Sequence, residues 1–133
     1  MAVQADAEGA PRSVGPSLTA KQFWALMERW KVADADALQL IGFAAKIGKA
    51  GKRPRFRFLP AHQRATAFLA EIEMALQASG QSVDWVHKII RAAPFNGRPP
   101  LALMKAEGEG GLEKTLQHLH RLVWRSAINA DTN

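Results

Sequence analysis

Hydrophobic positions recur at helical spacing along almost the whole chain. Phe23, Met27 and Trp30 mark one face of a first helix, and Thr19 with Gln22 forms the capping box that starts it. Leu38, Leu40 and Ile41 predict a short second helix, capped by Asp34 or Asp36 and ended by Gly42. The clearest signal follows Pro60, a residue suited to a first helical position. Ala65, Phe68, Leu69, Ile72 and Leu76 stand at i, i+3, i+4, i+7 and i+11, and Ser79-Gly80 closes the run. Ser82 is positioned to cap a further helix whose buried stripe is Trp85, Val86, Ile89 and Ile90. That helix must stop before Pro94, because the residue preceding a proline is pushed out of helical geometry.

Beyond the loop Ala93 to Pro100, a short apolar helix spans Leu101 to Lys105, followed by a Gly-broken acidic turn, Glu107 to Gly111. A last helix beginning near Leu112 carries Leu112, Leu116, Leu119 and Val123 on one face, joined by Leu122 and Ile128. Two segments depart from this rhythm. Arg55-Phe56-Arg57-Phe58 alternates like a short extended piece, and residues 44–52 hold two glycines, each costing about 1 kcal/mol inside a helix. The pattern therefore predicts an all-α, two-part bundle without internal repeats. Its expected parts are an arm over residues 1–17, a helical region over 18–80, a second over 81–128, and a flexible tail over 129–133.

Composition sharpens this picture. A chain of 133 residues, 47% hydrophobic, suits one modest core, and the absence of cysteine removes disulfides and thiol chemistry. Residues 1–17 are Ala, Gly, Pro, Ser and charge without periodicity, the signature of a mobile arm. No apolar run approaches the ~20 residues of a membrane span, nor does the chain open on a signal peptide, so a soluble cytoplasmic protein is expected. The net charge of +6 is concentrated: between Asp36 and Glu71 lie Lys46, Lys49, Lys52, Arg53, Arg55, Arg57 and Arg64 with no acidic residue. Such segregation attracts polyanions. It equally describes a solvated loop, or a face that meets an acidic protein surface.

Side chains arranged for catalysis are hard to find. His118 and His120 stand two apart on a helix, on roughly opposite faces, and cannot share a metal; His62 and His87 lack a patterned partner. Ser-His-Asp logic is not legible. Gly108-Glu109-Gly110-Gly111 lacks the preceding strand of a phosphate loop and puts acid where the anion would sit. The reading is a non-enzyme without metal or cofactor. The loop Phe95 to Pro100 is the better functional candidate. Gly97 permits unusual backbone angles, Pro99-Pro100 stiffens the exit, and a rigid loop loses little entropy on docking, so Phe95 and Arg98 could anchor a partner. The plainer alternative has Phe95 plugging the bundle and Asn96-Gly97 simply making the turn; composition alone favours it.

The order of these features resembles the toxin-binding domain of Xre/MbcA/ParS-type antitoxins. The residues that carry the resemblance are Trp85, Pro94-Phe95-Asn96-Gly97, Pro100-Leu101, Met104, Gly110-Gly111-Leu112 and Leu119. Upstream, Leu18 to Trp30, Ala37 to Gly42 and Arg55 to Leu76 fall in the order of that family's N-terminal helical region, so the likeness covers about residues 18–125. The resemblance implies a type II antitoxin with a helix-turn-helix-like N-terminal part and a C-terminal toxin-binding part. It implies a homodimer that neutralises a RES-domain toxin, an NAD-consuming enzyme, by covering its active site. Carried over by position, Trp85, Phe95, Asn96, Gly97, Arg98 and Pro100 belong to the toxin-binding loop.

Many such proteins also bind operator DNA and regulate their own operon. Lys46, Lys49, Lys52, Arg53, Arg55 and Arg57 are the candidates for that contact here. Two positions depart from the family pattern. Pro99 stands where a capping Ser or Thr is common, and the segment around 44–52 lacks the Asn, Gln or Arg spacing of base-edge readout. The alternative expectation is a small DNA-binding transcriptional regulator without a toxin partner, its C-terminal bundle serving dimerisation.

Overall fold

The computed structural model describes residues 16–43 and 58–132, with side chains described as far as Arg125. The basic candidates Lys46, Lys49, Lys52, Arg53, Arg55 and Arg57, together with the 44–52 segment, lie outside the described residues. The architecture is all-helical. Helix α1 covers Ala20–Arg29, α2 Asp34–Leu40, α3 Pro60–Ser79, α4 Pro100–Glu107 and α5 Glu109–Thr132, with one 3-10 helix at Val83–His87 between α3 and α4. Among the described residues the sole β pairing is a single antiparallel bridge between Ile90 and Arg98.

Local chemistry sets the helix starts. Thr19 Oγ1 accepts from the Gln22 amide at 3.1 Å while Gln22 Oε1 accepts from the Thr19 amide at 2.9 Å, so the capping box is complete. At α3, Pro60 opens the helix and His62 Nδ1 accepts from the Leu59 amide at 3.1 Å. The start of α2 corrects an expectation: Ala33 is the cap residue and offers no side-chain acceptor. Asp34 and Asp36 instead sit inside the first turn, where a carboxylate favours the positive end of the helix dipole.

One core unites the two halves. Phe23, Met27, Trp30, Phe68, Leu69, Ile72, Val86, Phe95, Leu103, Met104, Leu112 and Leu119 are all shut off from solvent within a single cluster. Helix α3 lies along α5, α4 packs on α5, and α2 touches α4, so elements of the first half close over those of the second. Glu73 is buried in this seam. It accepts from Trp30 Nε1 at 2.8 Å and Gln77 Nε2 at 2.7 Å, and pairs with Arg29 at 3.0 Å. Three donors compensate the carboxylate for lost hydration. They also pin the end of α1 to the middle of α3.

Two further expectations are corrected. The helix after Ser82 does stop before Pro94, but it ends at His87, short of Ile89 and Ile90: Lys88 is already extended, and Ile89 is 65% exposed rather than part of a buried stripe. The physical reason is non-local. The backbone at Ile90 pairs across the loop with Gly97 and Arg98, and a helix there would forbid that pairing. The final helix starts at Glu109 rather than near Leu112. Gly108 alone, with φ of +62°, interrupts the helical run between Pro100 and Thr132. Ile128, placed on the last buried face from its spacing, lies beyond the described side chains.

Candidate functional site

The loop between the 3-10 helix and α4 is a compact knot of backbone hydrogen bonds. Gly97 N–H donates to Ile90 O at 2.8 Å and Ile90 N–H to Arg98 O at 3.3 Å, closing its base. Phe95 and Asn96 amides both donate to Ala92 O at 3.0 Å, and Arg98 N–H donates to Phe95 O at 3.1 Å. Asn96 and Gly97 have φ of +53° and +88°. Two successive positive φ values spanned by the 95–98 bond are the features of a type I′ turn, for which Asn-Gly is the favoured pair. The Ala93–Pro94 peptide is cis.

Beneath the turn lies an aromatic trio. Phe95 meets Trp85 edge-on at 5.8 Å and His118 edge-on at 5.0 Å, while Trp85 and His118 stack at 6.1 Å between centroids. Phe95 is 0% exposed, Trp85 is buried and Pro100 is buried. As accessible partner contacts, these three expectations are corrected. The rings of Trp85 and Phe95, with His118, form the platform on which the turn stands, and the plainer reading of Phe95 as a plug holds. Asn96 and Gly97 are exposed at the tip. Arg98 is half-exposed; its Nε donates to Phe95 O at 3.3 Å and its Nη2 lies 3.9 Å from Glu107, which Lys114 also reaches at 2.6 Å. The accessible face of the loop thus includes Asn96, Gly97 and Arg98, with Ile89 and Arg91 exposed on the incoming segment. Ile89 was hidden from sequence reasoning by its helix-like spacing from Trp85 and Val86.

The fold perturbs the titration of His118. Partial burial, and then the charges of Arg121 and Arg125, hold its pKa below the ordinary 6.5. The folded protein therefore resists a proton that the unfolded chain accepts, so this contribution to stability is full above the ordinary value and lost as pH falls through the lowered one. Urea midpoints measured between about pH 7.5 and about pH 5.5 should fall, and His118→Gln should flatten that part of the profile. An unchanged slope in the variant would remove His118 from the account.

Among the described residues no group of three or more His, Asp or Glu side chains is placed to hold a metal ion, and no helix is long and apolar enough to cross a membrane. Comparison of the chain with protein-family models, with curated proteins and with solved structures finds no match.

Proposed function

We propose that this protein is a non-enzymatic antitoxin of the Xre/MbcA/ParS kind, which neutralises a RES-type NAD-consuming toxin by seating its 89–98 loop against the toxin's active-site cleft. The observation that carries the reading is the build of that loop. A two-residue turn closed by backbone bonds rises from a buried Trp85–Phe95–His118 platform, so its exposed tip reaches a partner already ordered. A preorganised projection keeps most of its contact energy on docking. Of the residues that build it, Trp85, Phe95, Asn96 and Gly97 are among those on which the family resemblance rests. In this reading the chain acts as a homodimer in the cytoplasm, its helix-turn-helix-like N-terminal part and basic segment bind operator DNA, and the antitoxin regulates its own operon.

The test uses co-expression with a RES-domain toxin. Arg98→Glu and Ile89→Glu change exposed positions and should leave the helical circular dichroism intact. Each should weaken toxin binding by about 2 kcal/mol, roughly 30-fold, and abolish rescue of growth. Full rescue by both variants would take the loop out of the mechanism.

A further inference from the structure

A cleft of about 240 Å³ opens between the backbone at Ala92–Ala93 and α5, where His118, Arg121, Leu122 and Arg125 line it. Positions 118, 121 and 125 are spaced i, i+3 and i+7, so one face of the helix brings an imidazole and two guanidinium groups to the same recess. Elsewhere Arg29 pairs with Glu73, Arg64 with Glu109, Lys105 with Asp36 and Lys114 with Glu107. Among the described residues neither Arg121 nor Arg125 pairs with a carboxylate, although both stand beside a histidine whose protonation they oppose. Like charges gathered without a counterion repel one another, and an anion in the recess relieves that repulsion.

We propose that this cleft is a binding site for the phosphate group of a small molecule, held by the guanidinium groups of Arg121 and Arg125 with the His118 imidazole as a third donor. Guanidinium forks match the paired oxygens of phosphate, and a doubly charged tetrahedral anion can use all three groups at once. The size of the recess selects the class of occupant. It admits a phosphate or diphosphate, whereas a helix about 10 Å across does not fit. Ala92 and Ala93 form one wall and Leu122 supplies apolar surface for the part of the ligand that carries the phosphate. The site is independent of the antitoxin reading, since it needs no second protein.

Inorganic pyrophosphate is the probe, titrated into the full-length protein at constant ionic strength while the His118 imidazole resonances are followed by NMR. His118→Gln assigns those resonances. We expect a saturable shift with a Kd near 1 mM or tighter, on the order of 4 kcal/mol. Arg121→Gln and Arg125→Gln should each weaken it by about 10-fold, both being surface positions whose replacement leaves the circular dichroism unchanged. A linear, non-saturating response overturns the proposal, as does undiminished binding in both arginine variants. An equal response to citrate would reduce the cleft to general charge screening. Binding of a DNA duplex without binding of pyrophosphate would reassign it to a nucleic-acid backbone.

Discussion

Gly111→Ala is expected to destabilise the protein by about 1–2 kcal/mol, while the same change at the neighbouring Gly110 stabilises it by roughly 0.5 kcal/mol. Both glycines lie in the first turns of α5, where alanine is the better helix former. Their surroundings differ. A Cβ on Gly111 would stand 2.5 Å from the Leu103 carbonyl oxygen and 2.9 Å from the Met104 Cα, whereas one on Gly110 would meet nothing within 4 Å. The atoms in the way at Gly111 belong to the α4 backbone, which cannot swing aside like a side chain. The two helices can separate only by breaking the contacts of Leu103, Met104 and Leu112, all fully buried. Overpacking of this kind costs typically 1–3 kcal/mol, more than the propensity gain of ~1 kcal/mol. Thermal melts should show Gly111→Ala lower by about 5–10 °C and Gly110→Ala level or slightly higher. Shifts of the same sign would mean that α4 and α5 do not meet so closely.

Phe95→Ala should cost about 3–5 kcal/mol, a large part of the 5–15 kcal/mol that holds a domain together. The ring is fully buried between Trp85 and His118, and its loss leaves a cavity that two aromatic neighbours cannot fill without moving the loop. Urea denaturation should show a much lower midpoint at similar m, with near-ultraviolet dichroism losing the signal of a fixed Trp85. A loss below ~1 kcal/mol would place the ring outside the core. This changes how the loop must be tested. A failed rescue by Phe95→Ala would report a weakened fold, so Arg98 and Ile89 are the substitutions that interrogate recognition.

Local patterns carried much of the architecture. The Thr19–Gln22 capping box, the α3 stripe from Ala65 to Leu76 and the burial of Leu112, Leu116 and Leu119 all follow from spacing within one element. What escaped depends on pairing between distant positions. Ile89 and Ile90 continue the helical spacing of Trp85 and Val86, yet the backbone bonds from Ile90 to Gly97 and Arg98 hold that stretch extended. Gly111 looks like a turn residue in a Gly-rich string, and only the nearness of Leu103 reveals it as a packing residue. Within the candidate site, Asn96-Gly97 was readable as a turn. Composition favoured an inward-facing phenylalanine beside it without fixing that side, because an isolated aromatic before a turn has no periodic partner.

The separation between the ring platform and the turn above it has an evolutionary consequence. The apex contributes no side chain to the sealed core, and Arg98 is tied inward only by its bond to Phe95 O and its loose approach to Glu107, so residues 96 to 98 can be rewritten around a fixed scaffold, subject to the left-handed backbone that the first two must keep. Duplicated copies of such a gene could therefore acquire new binding preferences through changes confined to three codons. Their melting temperatures would stay where they began.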